Sequence, residues 1–439
     1  YTANEIEKKY VDPDLGIGTD TTTGEAGNIT GKTSVDDTNR TSLTSLLGRV
    51  GYSYADKYYG EFSFRYDGSS KFHKDYRWGF FPSVSLGWRL SEENFMGFYK
   101  EKVGDLKLRT SFGILGSQAI GTYDRFTTYT VYDNNYAYGN SVVSGAGFAL
   151  GLNDLTWEKT KTFNIGVDAS FFNNQLNLTF DYFYKRTTDI LMKPIVPTVF
   201  GTDMPMDNIG EMQNNGYELN INFQNTTDYG FRYELGLILS GYRNEVKKLA
   251  SNQFISNTYT RTEVGHPISS FYGYVIDGIF QTQGEVDSHV EQSDKAIGRW
   301  KYRDVNNDGK IDSQDRAYIG NPHPDFEYSL SSRFYYKNFD LSLYIQGSQG
   351  NDICFASKGG RDGLDFWGDY FNKSTRILNT WTPENRNAEL PEINILNPND
   401  EAGKVSSYLI EDGSYIRLKQ LELGYTLPKQ TLSKIGLQQ

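Results

Sequence analysis

The stretch FNIGVDASF, residues 163–171, sets Phe163, Ile165, Val167, Ala169 and Phe171 on one side of an extended chain and Asn164, Gly166, Asp168 and Ser170 on the other. Successive side chains of a strand point to opposite faces, so a period of two makes this a strand with one apolar and one polar face. The alternation recurs in LNLTFDYFY (176–184) and YELNINFQ (217–224). Shorter copies stand in VSLGWRL (84–90), LKLRTSF (106–112), FRYELGLIL (231–239), FDLSLYIQ (339–346) and LELGY (421–425). With 33 Tyr, 27 Phe and 44 Gly against 12 Pro, the composition suits strands and turns better than helices. The chain reads as all-β.

A soluble sandwich and a membrane barrel both separate apolar from polar side chains this way, so the connections carry the choice. Tight ones fall at YADKYY (54–59), FFNNQL (171–176), NTTDYGF (225–231) and YYKNFD (335–340). Between them lie long ones at 116–155, 188–212, 244–324 and 350–413. Long structureless loops count against a compact soluble domain, whereas outer-membrane barrels alternate short periplasmic turns with long extracellular loops. The alternation holds if SEENFMGFYKEKVG (91–104) is a longer periplasmic connection. Tyr52, Tyr54, Tyr58, Tyr59, Trp88, Trp157, Tyr182, Tyr184, Tyr335 and Tyr336 lie near strand ends and suit interfacial girdles, although aromatic residues also favour strands for their own sake. About eleven spanning strands result, and an open sheet edge cannot face lipid. The expectation is a transmembrane antiparallel β-barrel with long extracellular loops, of which this chain is a portion.

Other classes find little support. A net charge of -11 over 439 residues, with no Lys/Arg-rich block, lacks the footprint of a nucleic-acid binder. The single Cys354 rules out an intrachain disulfide framework, and His73, His266, His289 and His323 have no zinc-like spacing. No apolar run reaches the length of a transmembrane helix, and the first residues carry no secretory leader pattern. No nucleophile is patterned with a base, so no enzyme is expected. The acid pairs Asp124/Asp133 and Glu158/Asp168 would suit a glycosidase only at a fixed separation, and polar strand faces carry acids in any case. Aromatic residues of VYDNNYAYGN (131–140) and DFWGDYF (365–371) would stack on sugars, meet a partner or pack on their own loops.

One segment carries donor chemistry. In DVNNDGKIDSQD (304–315), Asp304, Asn306, Asp308 and Asp315 occupy positions one, three, five and twelve of a calcium loop. Gly309 stands at the sharp turn, Lys310 offers its carbonyl, Asp312 suits a water-mediated contact, and Ile311 is the apolar plug. Asp315 departs from the usual glutamate, as in dockerin-type loops. The competing reading is an Asn/Asp/Gly turn that binds nothing. No acid or base is patterned around the loop, so a calcium ion here would brace an extracellular segment.

Seven stretches, in order, carry a family resemblance: FRYDGSSKF (64–72), WGFFPSVSLGWRLSEE (78–93), LKLRTSFGILG (106–116), FYGYVIDGIFQTQGEV (271–286), DVNNDGKIDSQDRAYIGNPHPDFEYSL (304–330), WTPENRNAELP (381–391) and DGSYIRLKQLELGYTLP (412–428). Over roughly residues 41–428 the chain resembles the C-terminal half of a SusC/RagA-like TonB-dependent outer-membrane transporter. The resemblance implies a barrel of about 22 strands in the outer membrane of a Gram-negative bacterium. It implies import of a glycan fragment or oligopeptide, a SusD-like surface lipoprotein as partner, and energy from the TonB complex. Residues 1–40 then read as an extracellular loop remnant, residues 41–439 as partial barrel with a calcium-loop insertion near 297–321, and the plug and last strands as lying outside the chain. Substrate-contacting residues are not legible. The alternatives are a soluble extracellular glycan-binding protein or glycosidase with a calcium loop, and an adhesin-like or passive porin barrel.

Overall fold

The computed structural model describes residues 2–3, 41–139, 141–194, 204–250, 254–358, 372–393, 401 and 403–428. Nearly all of the expected loop remnant at 1–40 and the whole DFWGDYF segment lie outside these residues, as do the side chains of 131–136. Eleven long strands form one sheet: β1 (Thr41–Tyr54), β2 (Tyr58–Ser69), β3 (Trp78–Arg89), β4 (Leu106–Ser117), β5 (Glu158–Phe171), β6 (Leu176–Met192), β7 (Asp207–Thr226), β8 (Phe231–Lys248), β9 (Phe326–Tyr336), β10 (Phe339–Gln349) and β11 (Tyr415–Tyr425). Each neighbours the next in sequence, and a two-residue strand, Thr2–Ala3, pairs on β1. Strands run longer than the alternation alone suggested. β6 continues to Met192 and β7 begins at Asp207, so much of the expected loop at 188–212 is ladder.

The chain divides into two compact units, one of residues 1–168, 182–213 and 247–253, the other of the remainder. In the first, β2 and β3 pair antiparallel with Tyr58 opposite Trp88, Phe62 opposite Val84, Phe64 opposite Pro82 and Tyr66 opposite Phe80. All eight side chains share one face, and that face is open: Phe80 is 54% and Leu86 57% exposed. The opposite face carries Glu61, Ser63, Ser83, Ser85 and Gly87. A water-soluble sandwich would cover the apolar face, and here the polar one is the more enclosed.

Aromatic pairs mark both ends of this apolar band. Tyr58 stacks on Trp88 at 6.4 Å between ring centroids, and Tyr66 on Trp78 at 4.9 Å. Gly68 makes the second stack possible, because a Cβ there would stand 2.7 Å from the Trp78 ring. Trp78 and Trp88 lie ten residues apart on one strand, about 33 Å of extended chain. A strand tilted by about 40° reduces that to roughly 25 Å, the height of the apolar band on a membrane barrel.

The buried cores lie under the connections. Phe72, Phe81, Ile120, Leu155, Trp157 and Leu191 cluster in the first unit, where the 70–77 and 118–157 segments meet the strand ends. Part of 118–157 is itself a hairpin, Thr128–Tyr138 with Ser141–Ala149. Short turns close the other ends: in the three-residue connection 55–57, Ala55 and Asp56 both take φ of 53°, and the Lys57 amide donates to the Tyr54 carbonyl at 3.0 Å.

In the second unit, β8, β9, β10 and β11 pair in order. Apolar positions of β11 slip phase, from Ile416 and Leu418 to Leu421, Leu423 and Tyr425. The ladder shows why: Tyr344 opposes Gln420 while Ile345 opposes Leu418, which leaves Lys419 as an extra bulged residue. The bulge keeps all five apolar side chains on one face. The segment 254–325 is folded as well. Ile255–Ser256, Thr260–Thr262, Ser270–Tyr274 and Arg316–Gly320 form a four-stranded sheet, and Ile276–Ile279 pairs with Trp300–Tyr302. Ile279, Trp300, Tyr302 and Trp381 form its core, with Ile297 and Ile311 packed against them. The expected insertion at 297–321 is thus part of a larger folded region.

Candidate functional site

The loop at 304–315 hangs from the second unit's core by Ile311, whose amide donates to the Glu291 carbonyl at 2.7 Å, while the Glu291 amide donates to the Gly309 carbonyl at 3.0 Å. Its first half curls around its own acids. Asp304 accepts from the Gly309 amide at 3.0 Å and from the Asp308 amide at 3.3 Å. Asn306 accepts from the Asp308 amide and donates to the Asp308 carboxylate, each at 3.0 Å. Asp308 accepts from the Lys310 amide at 3.1 Å. Gly309 takes φ of 88°, which lets the chain reverse at position six without a Cβ penalty.

The second half is braced differently. Asp315 is fully buried; its carboxylate accepts from the Val305 amide at 2.9 Å and the Asp312 amide at 2.7 Å, tying the two ends of the loop together. Asp312 caps the turn Ser313–Asp315 through the Gln314 amide at 2.8 Å. It also pairs with Lys310 at 2.8 Å, which holds the Asp312 carboxyl below and the Lys310 ammonium above their ordinary ranges. Asp304, Asn306 and Asp308 thus accept amides around the turn at Gly309, and Asp312 and Asp315 accept amides around the turn at 313–315. Among the described residues no three His, Cys, Asp or Glu side chains converge in ion-holding geometry. A cation in this loop would depend on the Asn306 oxygen and the Lys310 carbonyl beside the carboxylates.

The other sequence candidates separate. Asp168 is bonded to Arg109 at 2.7 Å, and Glu158 accepts from the Leu191 amide at 2.9 Å. Asp124 accepts from the Gly121 amide at 2.7 Å, and the side chain of Asp133 lies outside the described residues. Each described acid has a structural bond. Cys354 is half-buried, and burial pushes its thiol up.

Sequence reading missed the polar face as a surface. In the first unit a trough of about 450 Å³ runs over small residues, Gly51, Ser53, Ser85 and Gly87, between Glu61 and Lys107. Charged pairs furnish this face: Arg49 with Glu61 at 2.5 Å and Arg65 with the fully buried Asp67 at 2.6 Å. Small residues at every second position were its only signal.

An open apolar face, a polar face of paired charges and cores under the connections are the features of a membrane-barrel wall. A family profile described as "TonB dependent receptor-like, beta-barrel" matches residues 7–279. The chain belongs to that family. It is 34% identical over 413 residues to TonB-dependent receptor P3 of Formosa agariphila, covering 91% of this chain and 40% of the relative. It is 31% identical over 421 residues to TonB-dependent receptor SusC of Bacteroides thetaiotaomicron, covering 90% and 39%. The solved structure of the RagAB peptide transporter superposes with a TM-score of 0.75 at 25% identity, over 90% of this chain and 42% of that one.

The chain spans about two fifths of the length of these relatives. The SusC/RagA-like resemblance read from the seven stretches therefore holds in sequence and in fold. Members of the family are Gram-negative outer-membrane proteins, so the open apolar face of this TonB-dependent receptor chain is the one that meets lipid. The soluble glycan-binding reading has no place for such a face.

Proposed function

We propose that the chain forms part of the barrel wall of a TonB-dependent importer of a bulky nutrient, a glycan fragment or an oligopeptide. The observation that carries the reading is the inverted sheet, apolar outside and charge-lined on the other face, in a chain similar to SusC and to RagAB. Its mechanism is binding, gating and transfer without bond chemistry. The long connections face outward and dock a SusD-like surface lipoprotein. Energy comes from the TonB complex through parts of the protein beyond this chain. In the outer loop a calcium ion would sit among Asp304, Asn306, Asp308 and the Lys310 carbonyl, with Asp312 and Asp315 bracing the loop around it, at oxygen distances of about 2.3–2.6 Å. It supplies charge neutralisation and takes no part in transport chemistry.

The test is uptake and co-isolation with the full-length protein. A strain lacking it should lose uptake of either labelled oligosaccharides or labelled oligopeptides, and mild-detergent extraction should bring down a neighbouring lipoprotein. Unchanged uptake of both classes, with the barrel always isolated alone, would sink the proposal. Loss of uptake without any lipoprotein would keep the importer and remove the partner.

A further inference from the structure

The connection between β3 and β4 differs from the turns that close neighbouring strands at the same end. It folds into two 3-10 turns, Leu90–Glu92 and Asn94–Met96, followed by a helical turn, Gly97–Lys102. Its root lies on the polar side: Arg89 donates to Asp105 at 2.9 Å, and Ser91 donates to the same carboxylate. Glu93 then carries the chain across. Its carboxylate accepts from the Tyr58 hydroxyl at 2.5 Å and the Trp88 indole at 3.1 Å, and pairs with Lys57 at 3.3 Å.

Tyr58 and Trp88 belong to the open apolar face, where they form one of its two aromatic ends. Glu93 therefore draws the connection over the lipid-facing perimeter and away from the polar face. Immediately beyond it, Phe95 is 70% and Phe98 69% exposed, two large and mostly uncovered apolar rings. Lys102 lies 5.0 Å from the Phe98 ring centre, and Lys100 pairs with Glu92 at 2.6 Å. Aromatic rings beside lysines, continuous with an aromatic belt, match the chemistry of the membrane–water boundary, where rings insert and ammonium groups reach back to phosphates.

We infer that residues 94–102 are a membrane-interface anchor, with Phe95 and Phe98 inserted into the periplasmic leaflet of a phospholipid bilayer and Lys100 and Lys102 at headgroup level. The anchor rests on the outer-membrane reading of the chain. It explains why this one connection is long at an end where the others are minimal: the extra residues extend the lipid-facing band outward from the strand ends.

Spin-label accessibility tests it in the full-length transporter, in a background free of other cysteines and reconstituted in phosphatidylethanolamine/phosphatidylglycerol vesicles. Nitroxides are attached at Phe95→Cys and Phe98→Cys, with Phe163→Cys on the open apolar face and Asp228→Cys in a tight turn as references. Collision with oxygen should exceed collision with a water-soluble nickel chelate several-fold at 95, 98 and 163, and the order should reverse at 228. Nickel-dominated collision at 95 and 98, with 163 still oxygen-dominated, overturns the anchor and leaves the barrel intact. Shielding of 95 and 98 from both probes also overturns it, because protein then covers the rings. Nickel-dominated collision at 163 removes the outer-membrane reading and the anchor together.

Discussion

Arg109 of β4 grips Asp168 of β5 with two bonds, Nε to Oδ2 at 2.7 Å and Nη2 to Oδ1 at 3.0 Å. The neighbouring residue, Val167, projects to the other side of the same strand, in line with Phe163 and Ile165, which are both exposed on the apolar face. One step along the chain thus separates a charge pair on the polar face from the lipid boundary.

Substitutions at these adjacent positions should differ sharply. Val167→Arg places a cation against acyl chains and should cost about 2–4 kcal/mol near the midplane. Asp168→Asn removes a half-exposed ion pair while keeping a hydrogen-bond acceptor, and should cost no more than about 1 kcal/mol. Denaturant unfolding of the full-length protein in vesicles compares them, and equal costs would mean that neither face meets lipid.

The bulge at Lys419 makes a counterintuitive prediction. Removing Lys419 restores strict alternation from Ile416 to Tyr425 and leaves every apolar side chain on its present face, so the deletion should still assemble. Removing Ser85 from the unbulged β3 flips Trp78, Phe80 and Val84 to the polar side and should abolish assembly. Heat-modifiable mobility on gels reports assembly in both, and the reading fails if the two deletions behave alike.

Loop length sets orientation. An epitope tag near Asn385, in the long 350–414 connection, should be labelled on intact cells, whereas one at Asn173, in the tight turn after β5, should stay silent until the membrane is permeabilised. The opposite labelling pattern would invert the topology.

Chelation separates the two halves of the 304–315 loop. If the proposed calcium ion bridges Asp304 and Asp308, its removal leaves their charges facing each other, so chelator, or Asp304→Ala with Asp308→Ala, should speed proteolysis between residues 297 and 321 and spare the strands. The proposed ion should then titrate in at about 10⁻⁴–10⁻³ M free calcium. Asp315→Ala should loosen the loop whether or not calcium is present, because its carboxylate ties Val305 to Asp312 directly. Cleavage that ignores chelator in the unaltered protein would assign the loop to an ion-free turn.

Sequence by itself determined the strand faces. Which side a residue takes is a local property of an extended chain, so Phe163, Ile165 and Val167 could be set against Asn164 and Asp168 with no knowledge of their neighbours. Connection lengths are equally local, and with them came the membrane barrel. The loop at 304–315 was legible as a donor pattern for the same reason: its spacing lies within twelve residues. Tertiary structure alone decided the pairings. Arg109 meets Asp168 from 59 residues away, Glu93 reaches Tyr58 across 35, and the β11 phase slip makes sense only when Ile345 is seen opposite Leu418. Such contacts depend on register between strands, which alternation constrains only to within an even number of residues. The role of Asp315 was hidden likewise, since its two backbone bonds form only once the loop has closed around it.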